Sequence, residues 1–259
     1  MTMSKSTQAT AHKRIVIKLG GSTLEGLNNA FFSNFKTLQE EGYEIIITHG
    51  GGPAINQKLE KRGIASKKIN GIRVTNEEAM EVVQSTLVGL VNPKLVNDLN
   101  RAGIQAIGLN GLDMNLILCE LLDYETYGYV GEIKKINTAI IDVLTAHNIV
   151  PVISCIGVTE EGQSLNINGD TVASEIALAV GAERLLLVTD VSGIRIGGEY
   201  QKEATPEQIH RWIEEGEITG GMIPKVEGAI RVLNAGIPKV KIVDDTLTGT
   251  TITSKELVK

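Results

Sequence analysis

The feature that most constrains the fold is a repeated order of apolar strand, glycine-rich turn and amphipathic helix. Residues 14–19 (RIVIKL) form an apolar, β-branched run that predicts a buried strand, and two glycines end it. Helical apolar spacing follows over residues 27–42, and residues 43–49 (YEIIITH) predict a second strand that ends at three more glycines. Strands that alternate with helices need crossover connections, which produce a parallel sheet covered on both faces. The sequence therefore predicts an α/β fold with a mainly parallel central sheet sandwiched by helices.

The same order continues along the 259-residue chain. A second run of strand and helix begins near residue 168, so we expect two lobes on one continuous sheet. The N-terminal lobe would span 14–168, after a disordered tail at 1–13, and the C-terminal lobe would span 169–259. The remaining predicted elements are helices at 76–91, 93–102, 171–180, 205–215 and 224–235, strands at 104–109, 149–155, 184–189 and 239–243, and hairpins within 114–136 and 156–167.

Composition and charge exclude several classes of function. The net charge is −6 and only 3% of residues are aromatic, which disfavours a nucleic-acid-binding protein with a basic, base-stacking surface. No apolar run approaches the roughly 18 residues of a membrane span, and the polar N-terminal stretch lacks the apolar region of a signal peptide. Cys119 and Cys155 form no C-x-x-C pair and are interpreted as core residues. We therefore expect a cytoplasmic enzyme with a small-molecule substrate and no nucleic-acid or membrane partner.

Two glycine-rich turns lie at the ends of the first two strands, where open α/β sheets bind ligands. Lys18 precedes the first turn, at Gly20 and Gly21, and residues 50–52 form the second. Glycine lets backbone N–H groups approach an anion, and a helix N-terminus adds a favourable dipole. A lysine within an apolar strand is costly to bury unless an anion meets it. Either turn alone is most simply a tight turn, but together with the lysine they indicate a site for a phosphoryl group.

Two familiar nucleotide-binding fingerprints are absent from the sequence. It contains no G-x-G-x-x-G, which disfavours a Rossmann dinucleotide site, and no G-x-x-x-x-G-K-[ST], which excludes a P-loop enzyme. Any nucleotide site in this chain must therefore be built in another way.

Three later segments carry polar groups at predicted strand ends and helix starts. Residues 165–170 (LNINGD) enter a helix, a position at which Asn and Asp are most often caps. Residues 186–194 (LLVTDVSGI) run from a buried strand into a polar turn. In residues 220–225 (GGMIPK), Lys225 falls in the first turn of a helix, where a positive charge opposes the helix dipole. A bound phosphate would explain that placement.

Taken together and in this order, these segments resemble the amino acid kinase superfamily. The resemblance extends over residues 14–253, and the N-G-x-R-V-T and G-G-M-I-P-K segments make it closest to the acetylglutamate kinase branch. One departure is Gly169, where the family usually has Ala, and the loss of one methyl group should be tolerated. The segments are KLGG at 18–21, HGGGP at 49–53, NGIRVT at 70–75, NINGD at 166–170, TDVSGI at 189–194 and GGMIPK at 220–225.

The resemblance implies a role for each candidate site residue. Lys18 and Lys225 would flank the transferring phosphoryl group as two transition-state lysines, and Asp170 would hold both ammonium groups. Arg73 and Asn166 would bind the α-carboxylate of the substrate. The other implied contacts are Gly51 and Gly52 with the substrate, and Gly20, Gly21, Asp190, Val191, Ser192, Gly193, Ile194, Met222 and Ile223 with the phosphates and adenosine of ATP.

The implied reaction transfers the γ-phosphoryl group of ATP to the side-chain carboxylate of N-acetyl-L-glutamate, with Mg²⁺ held by ATP oxygens rather than by the protein. The product, N-acetyl-L-glutamyl 5-phosphate, would belong to the second step of arginine biosynthesis. A carboxylate is already ionised at neutral pH and needs no general base, which fits the lack of an obvious acid–base dyad. The N-terminal lobe would bind the acceptor and form a homodimer, and the C-terminal lobe would bind ATP.

Alternatives to this reaction stay open from the residues alone. A related amino acid kinase that acts on free glutamate or on an aminoadipate-type carboxylate would share the glycine turns and the lysines. A non-catalytic ligand sensor could use the same fold, although the joint presence of Lys18, Asp170 and Lys225 argues against it.

Overall fold

The structure, a computed structural model, describes residues 13–254. The disordered tail predicted at 1–13 therefore lies outside the described residues, apart from Lys13. The described strands are β1 Arg14–Leu19, β2 Glu44–His49, β3 Lys68–Ile69, β4 Ile72–Arg73, β5 Ala106–Leu109, β6 Ile117–Leu121, β7 Gly131–Ile136, β8 Val150–Ser154, β9 Ile156–Val158, β10 Ser164–Asn166, β11 Arg184–Val188, β12 Arg195–Ile196, β13 Glu199–Tyr200, β14 Glu203–Ala204, β15 Lys239–Val243 and β16 Gly249–Ile252. The described α-helices are α1 Asn29–Glu40, α2 Gly52–Lys61, α3 Glu77–Thr86, α4 Asn92–Arg101, α5 Tyr124–Tyr127, α6 Ala139–Ala146, α7 Gly169–Ala179, α8 Pro206–Glu214 and α9 Met222–Asn234.

The central sheet has eight strands in the order β14-β16-β15-β11-β1-β2-β8-β5. Every neighbouring pair is parallel except β15 with β16. From β1 the chain first adds β2, β8 and β5 on one side and later adds β11 and β15 on the other. The strand order therefore reverses at β1, and open α/β sheets bind ligands at the carboxyl ends of the strands at such a point. The predicted fold class is confirmed.

Two apolar clusters cover the two faces of the sheet. Because successive residues of a strand point to opposite faces, Ile15 and Ile17 of β1 pack with Phe31 of α1, while Val16 lies in the cluster that contains Val172 of α7. All five side chains are fully buried. This three-layer arrangement fixes α7 on the face of the sheet from which Lys18 also projects, since Lys18 has the same parity as Val16.

The predicted helices at 76–91 and 93–102 form one continuous helical run. A π-turn at Leu87–Val91 joins α3 to α4, and the N–H of Asn92 donates to the carbonyl of Leu87, five residues earlier. Pro93, which lacks an N–H donor, is the first residue of the second predicted helix. The wider turn accommodates the proline without a break, so this predicted boundary is wrong.

The two predicted hairpins are confirmed and lie side by side. β6 pairs antiparallel with β7 and β9 with β10, and the four strands form a second sheet in the order β10-β9-β6-β7. The sequence missed α6, and it missed β16, which follows the strand predicted as the last one. β16 has only four residues, and two of them are threonines, so its apolar signal is weak.

The central sheet runs without interruption across the predicted boundary between residues 168 and 169, because β8 and β11 flank the β1–β2 pair. One continuous sheet agrees with the sequence prediction, while the assignment of a separate role to each lobe stays a prediction. Among the described residues, the helices are too short or too polar to cross a lipid bilayer.

Candidate active site

A cavity of about 590 Å³, called the larger cavity below, opens where the predicted catalytic residues meet. Lys18 of β1, Asp170 of α7 and Lys225 of α9 all line it. The three residues are far apart in the chain, but β1 and β11 are neighbours and α7 and α9 lie across their carboxyl ends. The structure therefore places both lysines on the wall of one cavity.

Lys18 is placed by its strand and by the glycine that follows. Its Nζ lies 2.9 Å from Oδ1 of Asp170. A Cβ added to Gly20 would lie only 2.6 Å from that same Nζ, so any larger residue would displace the ammonium group. Glycine is thus needed at this position because the Lys18 side chain passes directly over the backbone of Gly20.

Lys225 has a different carboxylate partner from the one predicted. Its Nζ lies 2.6 Å from Oδ1 of Asp190, which follows β11, and this ion pair lowers the pKa of Asp190 below its ordinary value. Asp170 was expected to hold both ammonium groups, but it forms an ion pair only with Lys18 among residues 13–254. Each lysine of the larger cavity therefore carries its own carboxylate, because the end of β11 approaches the first turn of α9 directly.

At the start of α7, one polar residue caps the helix and another contacts Lys18. The side chain of Asn168 accepts hydrogen bonds from the N–H groups of Asp170, at 2.8 Å, and Thr171, at 3.3 Å, so it is the helix cap. The Asp170 side chain is left to contact Lys18. A Cβ on Gly169 would meet its nearest atom, the Cα of Gly50, at 3.7 Å, which is an ordinary contact. The site accepts Gly or Ala at this position, as predicted.

A second cavity of about 120 Å³, called the smaller cavity below, adjoins the first. Its wall contains all four predicted substrate-binding residues, which are Gly51, Gly52, Arg73 and Asn166. It shares Ile72 with the wall of the larger cavity. The second glycine turn and the predicted carboxylate-binding residues therefore lie next to the two lysines.

Arg73 is a buried cation held by neutral oxygens. Arg73 is 7% exposed. Its Nη2 donates a hydrogen bond to Oδ1 of Asn56 at 2.6 Å, and its Nη1 donates one to Oγ of Ser66. In the described part of the chain no carboxylate lies within ion-pair distance of it, and burial lowers its pKa. A buried guanidinium without a counter-ion is a binding site for an anion. The sequence carried no signal for Asn56 or Ser66.

Asn166 is oriented by the segment that contains Arg73. Its Nδ2 donates to Oγ1 of Thr75 at 3.1 Å, and that hydroxyl donates to the carbonyl of Arg73 at 2.9 Å. Thr75 is fully buried, so this network is shielded from water. The network thus orients the Asn166 side chain relative to the backbone at Arg73, while Asn56 and Ser66 hold the Arg73 side chain.

None of the residues 190–194, which were predicted to contact ATP, lines the larger cavity, whose wall on this side ends at Thr189. Gly193 has φ +118°, and a Cβ there would meet Oγ1 of Thr250 at 2.5 Å, so glycine is required. The N–H of Ile194 donates to the same hydroxyl at 2.8 Å, and the Ile194 side chain is fully buried in the core. The Ile194 side chain therefore packs away from the larger cavity, and a contact between residues 190–194 and ATP stays a prediction.

The wall of the larger cavity next to Lys225 comes from residues that the sequence analysis missed. Neither Met222 nor Ile223 lines it, and both instead pack against the core. Gly228 and Arg231 lie on the cavity side because they follow Lys225 at helical spacing on α9. This helical spacing from Lys225 was the sequence signal that could have identified these two wall residues. The other wall residues near Lys225 are Pro224, Val232 and Ala235.

Comparisons with known proteins agree with this geometry. The family model described as Amino acid kinase family matches residues 13–244. The chain therefore belongs to the amino acid kinase family. An acetylglutamate kinase of Geobacillus kaustophilus is 44% identical over 231 residues, which are 89% of this chain and 90% of that protein. Another of Clostridioides difficile is 43% identical over 238 residues, which are 90% of this chain and 83% of that protein.

Solved structures share the fold. The structure of smu.665 from Streptococcus mutans UA159 is 38% identical, with a TM-score of 0.83 over 93% of this chain and 99% of that one. An N-acetylglutamate synthase from Neisseria gonorrhoeae has a TM-score of 0.79 over 95% of this chain and 62% of that one, but at 19% identity this likeness concerns the fold alone. The predicted resemblance, fold and enzyme class are confirmed, and the protein is a kinase of this family.

Proposed function

We propose that the protein transfers the γ-phosphoryl group of ATP to the side-chain carboxylate of N-acetyl-L-glutamate, the second step of arginine biosynthesis. The observation that carries this proposal is the placement of Lys18 and Lys225 in one cavity that adjoins a smaller cavity with the buried guanidinium of Arg73, which pairs with no carboxylate of residues 13–254. The curated relatives reported above carry the name of this activity and are similar to the chain over nearly its whole length.

The two lysines supply the charge that phosphoryl transfer needs. The transition state is loose and spreads negative charge over the three equatorial oxygens, so positioning and electrostatic stabilisation account for most of the catalysis. Lys18 approaches from β1 and Lys225 from α9, and Asp170 and Asp190 restrict the orientation of their ammonium groups. The acceptor carboxylate is already ionised at neutral pH, so no general base is required.

The acceptor lies in the smaller cavity in this proposal. Arg73 and Asn166 bind its α-carboxylate, and the backbone N–H groups of Gly51 and Gly52 face its reacting end at the start of α2. The glycines and isoleucines in its wall, including Ile55, leave room for an acyl group. The acceptor is thereby held by its α-carboxylate while its side chain points towards the lysines.

ATP lies in the larger cavity, with its adenosine towards α9 and its phosphates near Gly20 and Gly21. We place Mg²⁺ on the phosphate oxygens, where it would neutralise charge on the leaving group. In residues 13–254, no three His, Cys, Asp or Glu side chains are grouped so that they could hold a metal ion.

We further propose a homodimer that forms at the free edge of β5. Within residues 13–254 this strand pairs only with β8, and Ile107 on it is 43% exposed, while Leu90 on the adjoining π-turn is 46% exposed. An unpaired edge with exposed apolar side chains is a favourable surface for a second copy. The cytoplasmic location and the absence of a nucleic-acid partner stay predictions from the sequence.

A coupled assay of ADP release tests the proposed reaction. With ATP and Mg²⁺, the protein should turn over N-acetyl-L-glutamate with a kcat/KM at least about 100-fold above that for free L-glutamate or L-2-aminoadipate, because the α-ammonium group of the latter two would lie beside the cations of Arg73 and Lys68 in the wall of the smaller cavity. Faster turnover of free glutamate would reject the acceptor but keep the kinase. Binding of ATP and acceptor without ADP release would favour the ligand-sensor alternative.

A further inference from the structure

His49 is a buried imidazole directly before the second glycine turn. It is the last residue of β2, pairs with Leu19 of β1 and is 1% exposed. Its contacts link the backbone of the smaller cavity to the π-turn between α3 and α4, which was not expected from the sequence.

The hydrogen bonds of His49 fix its tautomer. The carboxamide nitrogen of Asn92 lies 2.8 Å from the carbonyl oxygen of Val152 and 2.9 Å from Nε2 of His49. The carbonyl can only accept, which identifies the Asn92 atom as the donor nitrogen, and its second hydrogen is directed to Nε2. Nε2 therefore carries no proton, and Nδ1–H donates to the carbonyl of Gly50 at 2.8 Å. Burial lowers the pKa of His49 to about 4, so the ring is neutral at physiological pH.

The π-turn places Asn92 for this contact. Its extra residue rotates the following helix so that Asn92 points into the sheet, where it is 6% exposed. A Cβ on Gly108 of β5 would collide with Oδ1 of Asn92, so the glycine provides the space. A Cβ on Gly51 would lie 2.6 Å from Cδ2 of Leu87 in the π-turn, which therefore packs directly against the turn of the smaller cavity.

These contacts determine the direction of one peptide group. In a planar trans peptide the C=O and the N–H point in opposite directions. The bond from His49 Nδ1–H holds the oxygen of Gly50 on the α4 side, and the N–H of Gly51 is then turned to the opposite side, towards the smaller cavity that both glycines line. The orientation of this donor is thus set by His49, and the orientation of His49 is set by Asn92.

We propose that His49 and Asn92 are positioning residues, which hold the Gly50–Gly51 peptide with its N–H directed at the transferring phosphoryl group or the acceptor carboxylate. This inference rests on the proposed kinase function. It assigns a task to the π-turn, because a regular α-helix over the same residues would direct Asn92 to another side of the helix.

Two substitutions of His49 separate this role from simple packing. The amide nitrogen of Asn stands two bonds from Cβ, as Nδ1 does, so His49→Asn keeps a donor for the Gly50 carbonyl. His49→Gln places its nitrogen three bonds away, as Nε2 is, and removes that donor. We expect kcat to fall about 10-fold in His49→Gln, with KM for ATP unchanged, and to fall less than about 3-fold in His49→Asn. A merely structural role predicts equal kcat for the two variants, and that result would overturn the proposal.

Asn92→Leu tests the second member of the pair, and Asn100→Leu is its matched control. Asn100 lies on the same helix and bonds the backbone of β5 at Ala106, but it does not touch His49. With both variants assayed well below their melting temperatures, we expect kcat to fall about 10-fold only in Asn92→Leu. An equal kcat in the two variants would contradict the proposal.

A direct measurement on the wild-type protein decides the matter even if a variant does not fold. Nitrogen-15 NMR of the imidazole should find Nδ1 protonated and Nε2 unprotonated from about pH 5.5 to about pH 8. A proton on Nε2 overturns the proposal. A wild-type protein that releases no ADP with any of the three carboxylates overturns the proposed function and this inference with it. Turnover by the wild type together with unaffected variants removes only the inference.

Discussion

The two cavities at the carboxyl edge of the sheet are built in opposite ways. In the smaller cavity, Arg73 is buried and is held by the neutral oxygens of Asn56 and Ser66. In the larger cavity, the side chains of Lys225 and Asp190 are 31% and 73% exposed and pair with each other. One region is a fixed, shielded hydrogen-bond network, and the other is an open space with charges that water reaches.

This difference follows from what each region must bind in the proposed reaction. A buried guanidinium keeps its geometry and discriminates strongly, because leaving it unpaired is costly. An exposed ion pair contributes only about 0–1 kcal/mol, so Lys225 can exchange Asp190 for a phosphate at small cost. The acceptor side is therefore specific and preformed, and the nucleotide side is adaptable.

The largest expected effect is the loss of either lysine of the larger cavity. Lys18→Ala and Lys225→Ala should each lower kcat at least about 100-fold, because each removes a charge that stabilises the transition state. Steady-state kinetics with saturating ATP and acceptor measure this. Lys239→Ala, on the same sheet but outside both cavities, is the control and should keep wild-type kcat. Full activity in either site variant would contradict the assigned roles.

Acid should lower the free energy of unfolding through His49, the buried histidine beside the smaller cavity. The pKa of His49 is lowered from the ordinary 6.5 to about 4 in the folded protein, so the unfolded chain binds this proton more tightly. The stabilisation is complete above about pH 6.5 and is lost as the pH falls to about 4, a loss of about 3 kcal/mol. Urea unfolding at several pH values should find this loss in the wild type and in His147→Asn, an exposed-histidine control, but not in His49→Asn. If the free energy of unfolding depended on pH in the same way in the wild type and in His49→Asn, this prediction would be refuted.

Removal of the buried guanidinium should change acceptor binding alone. Arg73→Ala is expected to raise the KM for N-acetyl-L-glutamate about 10- to 100-fold, the range for losing a charged hydrogen-bonding partner, with the KM for ATP unchanged. Arg62→Ala, which removes an exposed arginine on the surface, is the control. An unchanged acceptor KM in Arg73→Ala would mean that the carboxylate binds elsewhere.

The smallest effect should come from the exposed partner of Lys225. Asp190→Asn is expected to change kcat and the KM for ATP by no more than about 5-fold, since the pair it breaks is open to solvent. Initial rates at varied ATP measure this. A fall in kcat near that of Lys225→Ala would mean that Asp190 has a larger task, and the contrast between an adaptable and a fixed cavity would no longer hold.

Much of the fold and part of the site follow from local sequence. The apolar runs of β1, β2 and β11 are long enough to identify, and the glycines after β1 and β2 mark the ligand-binding edge. Lys18 stands out because a charge within an apolar strand requires an explanation. Short or polar elements such as β16 are missed, because four residues give little periodicity. The helical run through Pro93 is missed because a π-turn has no clear sequence pattern.

The sequence by itself determined the layered α/β architecture, the glycine turns and the residues available for chemistry, because strand and helix periodicity are properties of neighbouring residues. Only the tertiary structure decided which of these side chains contact each other. Lys225 pairs with Asp190 rather than with Asp170, and Asn92 reaches His49 across 43 positions of the chain. Such contacts depend on the positions of separate helices and strands to within a few ångströms, because a hydrogen bond or ion pair is lost beyond that range. A local sequence pattern does not determine those positions.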